Sequence, residues 1–106
     1  MSYWVYVKPK DEPVRPAQFE GNVTYNVSTM LRRAGIHPAI LNGLTVKEVR
    51  PVIEHAYMVM YDNADYFRRF EASNGWGTYE TTFKFVTNLN TYLINDAPDD
   101  YVMWWS

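Results

Sequence analysis

Two short segments of aromatic and β-branched residues, one at each end of the chain, constrain its fold more than any other feature. Residues 2–8 read SYWVYVK and residues 101–105 read YVMWW, and neither shows a helical period. Large apolar side chains fall on both faces of the first segment, which is typical of a central or covered strand. Each segment needs a partner, and the other segment is the simplest one. We therefore expect a small antiparallel sheet that contains both ends.

The chain between these strands carries the apolar spacing of helices. The strongest pattern covers about 46–61, where Thr45 and Glu48 are spaced as a capping box. Pro51 lies inside this pattern and predicts either a kink or a separate first turn. A last helix is expected over 79–94. The predicted fold class is α+β, with the small sheet packed by about four helices.

Shorter elements complete this prediction. Residues 9–21 hold three prolines and a glycine, which favours a loop or a loose hairpin return. Residues 22–26 lead into a short helix, for which Asn26 is the predicted N-cap. Asn63 is expected to cap another short helix over 64–71.

Composition limits the classes of function. A chain of 106 residues is expected to form one globular domain with its own core. It contains no cysteine, which excludes disulfides and cysteine-ligated zinc. The formal net charge is −2, which argues against duplex nucleic acid as a partner. We see neither a signal peptide nor an apolar run of membrane-spanning length, and expect a soluble, cytoplasmic protein without a cofactor.

Aromatic residues make up 17% of the chain, and this content has two interpretations. One is a small core filled with rings. The other is an exposed surface on which nucleic-acid bases or a partner protein stack. Because periodicity assigns most of the rings inward, the core is the favoured interpretation.

A tryptophan between two glycines lies in the segment 74–80, which reads NGWGTYE. Glycine is needed where φ is positive or where another group comes very close to the backbone. The pattern therefore predicts a sharply bent loop that packs the Trp76 indole into the body of the domain. Thr78 follows as the N-cap of the helix that begins at Tyr79.

Few residues have the spacing of a catalytic or metal site. His37 and His55 are the two histidines, and neither belongs to a zinc-binding motif, so we predict no metal site. Glu80 lies in the first turn of the last helix, where the helix dipole favours a carboxylate. The same carboxylate could act as a general base, although the sequence pairs it with no nucleophile.

Two predicted helix starts, at 22–26 and 74–80, carry short polar side chains that are usually caps. If these starts lie side by side, their unpaired N–H groups form a site for an anion, and a neighbouring ring can hold a flat group. Arg32, Arg33 and Arg50 could add a basic rim. The predicted ligand site comprises Asn22, Thr24, Tyr25, Asn26, Asn74, Trp76, Tyr79 and Glu80.

Three stretches resemble one protein family: Thr24-Tyr25-Asn26-Val27 with Met30, the proline-bearing helix 46–61, and Asn74-Gly75-Trp76-Gly77-Thr78-Tyr79-Glu80. That family consists of small uncharacterised proteins from bacteriophages, prophages and bacterial genomes that share the motif Asn-Gly-Trp-Gly-x-Tyr-Glu. The similarity covers about residues 22–95. The chain departs from the family in the stretch 9–21 and in its Trp104-Trp105 ending. The resemblance implies an origin and no mechanism.

Three functional hypotheses follow. The leading one is a non-catalytic binding protein, such as a phage accessory or counter-defence factor that binds a host protein or a small anionic ligand in the host cytoplasm. The second is a small enzyme that processes a nucleotide or a peptide through Glu80 and a histidine. The third is a structural or assembly component. Self-association, including a homodimer, is left open by the sequence.

Overall fold

A three-stranded antiparallel sheet joins the two end segments. The computed structural model describes residues 2–11, 19–71 and 77–106. The strands are β1 (Ser2–Lys8), β2 (Phe19–Thr24) and β3 (Val102–Trp105), in the order β2-β1-β3. Both neighbours run antiparallel to β1. The predicted pairing of the two end segments is thereby confirmed, and β1 is the central strand.

The helices connect β2 to β3. Within the described ranges they are α1 (Ser28–Arg33), α2 (Pro38–Leu41), α3 (Val46–Asp62), α4 (Ala64–Arg68) and α5 (Tyr79–Asn95), and a 3₁₀ turn (Tyr25–Val27) precedes α1. The α+β class is confirmed, with five helices in place of about four. In the described part of the chain, none of these helices is long and apolar enough to cross a membrane.

β2 is the strand that the sequence prediction missed. Residues 19–21 belong to it and not to a loop, and residues 22–24 continue it. The alternation of apolar and polar residues that predicts a strand is weak in β2, because Val23 is its one buried position. Gly21 suggested a loop, but a Cβ there would lie 3.0 Å from the Phe19 ring and 3.1 Å from the Phe85 ring of α5. The glycine therefore reflects the close approach of a helix to an edge strand.

The predicted N-cap at Asn26 is wrong. Thr24 is still extended, and its hydroxyl accepts a hydrogen bond from the Asn26 N–H at 3.4 Å. Asn26 already lies inside the 3₁₀ turn, from which α1 continues without a side-chain cap. Asn63 does occupy the N-cap position of α4, yet its side chain donates to the Val59 carbonyl at the end of α3. α4 ends at Arg68, three residues before its predicted end.

The capping signals of the two long helices are confirmed. Thr45 accepts from the Glu48 N–H at 3.3 Å, and the Glu48 carboxylate accepts from the Thr45 N–H at 3.2 Å. α3 runs without interruption through Pro51, so its first turn is not separate. At the start of α5, the Thr78 hydroxyl accepts from the Thr81 N–H at 3.2 Å.

The hydrophobic core lies between one face of the sheet and the two long helices. The buried side chains include Val5, Val7, Val23, Met103 and Trp105 of the strands, Val49, Ile53, Ala56 and Met60 of α3, and Phe85, Val86, Leu89 and Leu93 of α5. Residues before α3 cover the outer edge of β3, because the Gly43 N–H donates to the Met103 carbonyl and the Met103 N–H donates to the Leu44 carbonyl. This cover removes one open edge of the sheet.

Candidate ligand cavity

A cavity of about 600 Å³ opens where β1, the 3₁₀ turn, α1, α2 and β3 meet. Its volume is in the range of small-molecule sites. The cavity is lined by Tyr3, Tyr25, Arg32, His37, Pro38, Ala39, Ile40, Asn42, Trp105 and Ser106. These residues come from both ends of the chain and from the connection between them.

One wall of the cavity is aromatic. The Tyr3 ring lies 4.4 Å from the Tyr25 ring and 5.9 Å from the Trp105 ring, measured between centroids. The Ser28 hydroxyl donates to the Tyr25 carbonyl at 2.7 Å, which leaves its oxygen to accept from the Tyr3 hydroxyl at 3.1 Å. This chain of hydrogen bonds fixes Tyr3 beside the 3₁₀ turn. Tyr25 keeps 38% of its surface exposed and can still contact a ligand.

The lining of the cavity also includes nitrogen donors. Arg32 and His37 are both exposed and line the cavity, and no Asp or Glu side chain of the described residues lines it. Within the described ranges, Arg32 forms no ion pair. The Asn42 side-chain oxygen accepts from the Trp105 backbone N–H at 2.8 Å, which ties the end of α2 to β3, and both residues line the cavity. The cavity therefore combines flat apolar surface with positive charge.

The two predicted halves of the ligand site do lie in contact. Gly77 has φ +87°, and a Cβ on it would lie 2.7 Å from the Val27 Cγ1 atom and 3.3 Å from both Asn26 Cβ and Thr24 Cγ2. The start of α5 thus packs against the turn that follows β2. Asn74 and Trp76 lie outside the described residues, and so does the predicted packing of the Trp76 indole.

The predicted residues around the turn have different environments. Asn22 donates to the Ser2 hydroxyl at 2.8 Å and to the Tyr3 carbonyl at 3.0 Å, which ties β2 to β1. Thr24 caps the turn, and Asn26 is exposed next to Gly77. Of the six predicted site residues that the structure describes, Tyr25 is the one that lines the cavity.

The N-terminus of α5 is already partly occupied by the protein. The Glu71 carboxylate accepts from the Tyr79 N–H at 2.9 Å, while Thr78 takes the Thr81 N–H. Tyr79 itself is 5% exposed, and its hydroxyl donates to the Met60 carbonyl at the end of α3 at 2.7 Å. Burial raises the pKa of Tyr79. Its ring and hydroxyl therefore join α3 to α5.

Glu80 is an exposed partner of Arg68. The Arg68 guanidinium donates to the Glu80 carboxylate at 3.0 Å and also contacts Asp65 at 3.3 Å. The hydrogen bond from Arg68 holds the pKa of Glu80 below its usual value. This shift stabilises the ionised carboxylate and makes it a weaker base. Within the described residues, no hydrogen bond or ion pair joins Glu80 to His37 or His55, and no three His, Asp or Glu side chains cluster as a metal site.

Sequence reasoning did not assemble the cavity because its lining is non-local. Arg32 was expected only as part of a basic rim, and Trp105 only as a strand residue. One part of the lining could have been predicted, because the predicted pairing of the two end strands brings Tyr3 close to Trp105. Arg50, expected in the same rim, lies elsewhere: it donates to the Leu93 carbonyl and to Asp99.

Comparisons of the chain with protein-family models, with curated proteins and with solved structures find no match. Support for a function therefore comes from the geometry of the chain itself.

Proposed function

We propose that this chain is a non-catalytic binding protein whose cavity holds a small ligand with a flat ring and an anionic group. The observation that carries the proposal is the composition of the lining: the part of the chain that the structure describes contributes three aromatic side chains together with Arg32 and His37, and no acidic side chain. A mononucleotide has both chemical features and is the ligand class that we propose.

The roles of the lining residues follow from their chemistry. The exposed Tyr25 ring offers a stacking surface, and stacking of a base on an aromatic ring contributes about 1–3 kcal/mol. Arg32 offers a planar set of donors that matches phosphate oxygens. His37 adds a ring N–H donor. Pro38 and Ile40 supply the apolar rim that excludes water from the ring.

Calorimetric titration with adenosine monophosphate, adenosine and inorganic phosphate tests this proposal. The nucleotide should bind more tightly than either fragment, because only the nucleotide carries both a ring for the aromatic side chains and a phosphate for Arg32 and His37. Tyr25→Ala and Arg32→Ala should each weaken binding about tenfold or more, which corresponds to roughly 1.4 kcal/mol. Tyr66→Ala and Arg69→Ala are matched controls, since Tyr66 has a similar exposure of 40% and both residues lie outside the cavity.

Two results would contradict the proposed ligand site. If none of the four common nucleoside monophosphates binds with a dissociation constant below about 1 mM, the proposal is wrong. Equal losses in the control variants would mean that the substitutions act through stability and not through contact.

The site first predicted from the sequence, around 22–26 and 74–80, remains an alternative position for the same ligand. Asn26→Ala and Asn74→Ala separate the two positions from each other. A ligand in the cavity requires Arg32 and tolerates both asparagine substitutions. A ligand at the helix starts shows the reverse dependence.

A protein partner is the second candidate, and one surface favours it. The rings of Tyr57, Tyr61 and Phe83 pack together where α3 meets α5, with centroids 5.5–6.3 Å apart, and Tyr61 and the neighbouring Met58 are exposed. Aromatic and methionine side chains are enriched at protein interfaces. Affinity capture from bacterial lysate tests this candidate, with the parent protein and the Tyr61→Glu variant compared. The candidate requires a protein that the parent captures and the variant does not.

The biological setting belongs to the same proposal. The resemblance over residues 22–95 supports an origin in a bacteriophage or prophage, with the protein acting as an accessory or counter-defence factor in the host cytoplasm. Catalysis through Glu80 and a histidine has weaker support, because Glu80 is paired with Arg68 and its pKa is lowered. An assembly role would instead require stable self-association.

A further inference from the structure

Asn42 lines the cavity at the end of α2, where it is the C-cap of that helix. Its backbone N–H donates to the Pro38 carbonyl at 3.0 Å, which closes the helix. Its side-chain oxygen accepts from the Trp105 backbone N–H at 2.8 Å, which holds the residue against β3. Asn42 is therefore tied to the fold at two points, and it is still exposed to solvent.

The bond to Trp105 decides which end of the Asn42 amide is left for a ligand. A backbone N–H only donates, so the atom that meets it is the amide oxygen, and the amide nitrogen is the other end. Among the residues that the structure describes, none accepts a hydrogen bond from Asn42 Nδ2. An amide NH₂ group carries two donors and no acceptor. Asn42 therefore offers a pair of N–H donors to a ligand in the cavity.

These donors lie apart from the donors that we assign to the phosphate group. His37 directly precedes the four residues of α2 and Asn42 directly follows them, a separation of about 7–8 Å along a helix axis. Asn42 is also bonded to Trp105, whose ring is one of the three aromatic side chains of the lining. A nucleotide with its phosphate at Arg32 and His37 can therefore place its base beside Asn42.

We propose that Asn42 makes the cavity selective for bases with a carbonyl group, such as hypoxanthine and uracil, over bases with an amino group at the same position. A carbonyl oxygen accepts from Asn42 Nδ2, whereas an amino group would place one donor against another. An asparagine that recognises adenine uses both ends of its amide, and in Asn42 the oxygen end is bonded to Trp105. This selectivity rests on the proposed nucleotide site and names the chemistry of the base that the site holds.

Two pairs of nucleotides test the selectivity by calorimetric titration of the parent protein. Inosine and adenosine monophosphate form one pair, and uridine and cytidine monophosphate form the other. The first member of each pair has a carbonyl group where the second has an amino group. In each pair that binds, the carbonyl member should bind about 5- to 100-fold more tightly, because the amino member leaves the Asn42 donors without an acceptor.

Asn42→Asp tests the assignment to this residue. The variant keeps an oxygen for the Trp105 N–H and replaces Nδ2 by a second oxygen, which is an acceptor of nearly the same size. The preference for the carbonyl member should disappear or reverse. The ratio of the two dissociation constants is the readout, because the new carboxylate also repels the phosphate of both members. Asn88→Asp, at an exposed position of α5 outside the cavity, adds the same charge and should leave the ratio unchanged.

Two results would overturn the selectivity and leave the nucleotide site in place. The first is a pair whose members bind the parent protein equally, or whose amino member binds more tightly. The second is an Asn42→Asp variant, shown to be folded by thermal unfolding, that keeps the preference of the parent. Binding of none of the four nucleotides would instead overturn the proposed function, and the selectivity with it. The comparison within the parent protein stands even if the variant does not fold.

Discussion

At Gly77 the backbone before α5 touches the turn that follows β2. Two separate demands meet at this residue, because φ is +87° and a Cβ would lie 2.7 Å from the Val27 side chain. The flanking glycine pattern in the sequence predicted a positive φ or a close approach, and the structure shows both at Gly77. It could not predict which group approaches, since Val27 is fifty residues away along the chain.

Gly77→Ala should therefore lower the free energy of unfolding by about 2–4 kcal/mol, measured by urea denaturation. Gly35→Ala is the matched control. Gly35 has φ +100° with nothing within 4 Å of the added Cβ. The free energy of unfolding of this variant should therefore fall only by the cost of a positive φ in a residue with a Cβ, about 1–2 kcal/mol. Equal losses in the two variants would contradict the packing of α5 against the turn.

Tyr79 gives a prediction that depends on pH. Burial raises its pKa in the folded protein, so the ionised form is disfavoured there. Its contribution to stability is complete below the unfolded pKa of about 10 and is lost as the pH rises through the folded pKa. Tyr79→Phe should be less stable than the parent near neutral pH, by about 1–3 kcal/mol, because the Met60 carbonyl loses its donor. The difference should shrink at alkaline pH, and a constant difference would contradict this account.

At the scale of elements, Arg50 of α3 closes the C-terminal end of α5. Its guanidinium donates to the Leu93 carbonyl at 2.9 Å, to the Ala97 carbonyl at 3.1 Å and to the Asp99 carboxylate at 2.7 Å. A cation at this position satisfies carbonyls that have no partner within the helix and opposes the helix dipole. The contact joins the start of one long helix to the end of the other.

Arg50→Ala should lower the free energy of unfolding by about 1–2 kcal/mol, and Arg50→Lys should recover only part of this loss because it cannot reach all three acceptors. Arg69→Ala removes an exposed arginine and should change stability by less than about 0.5 kcal/mol. Thermal or urea unfolding of the three variants provides the measurement. An Arg50→Ala variant as stable as Arg69→Ala would show that the contact contributes nothing.

Elements with local signals could be predicted and elements that depend on neighbours could not. The N-caps of α3 and α5 are Thr45 and Thr78, whose capping partners lie three residues along the chain. β2 has no such signal, because its hydrogen bonds go to β1 and its glycine is set by the Phe85 ring of α5. The same distinction explains why Tyr25 was identified as a site residue while His37 and Trp105 were not placed beside it.

At the scale of the molecule, β3 supports both the sheet and the core. Val102, Met103 and Trp105 are buried, and the strand pairs with β1 on one side and with residues 43–46 on the other. Burial of one such side chain contributes about 1.5–3 kcal/mol, a large share of the roughly 5–15 kcal/mol that stabilises a small domain.

Deletion of residues 101–106 should therefore unfold the domain or make it aggregate through the exposed edge of β1. Circular dichroism and size-exclusion chromatography distinguish these outcomes from a native monomer. Trp104→Ala is the control, since its side chain faces outward and the variant should stay folded. A soluble truncated protein with cooperative unfolding would show that β3 is peripheral to the fold.

The cavity is the central functional claim, and nuclear magnetic resonance of the ¹⁵N-labelled protein tests it most directly. During titration with a nucleoside monophosphate, the backbone amides of Tyr25 and Arg32 and the indole signal of Trp105 should shift together as one saturating process. The indole signal of Trp104, on the outer face of the sheet, should stay unchanged. The account is contradicted if no signal shifts, or if the shifts concentrate at residues 77–81 or at Trp104 while the cavity signals do not move.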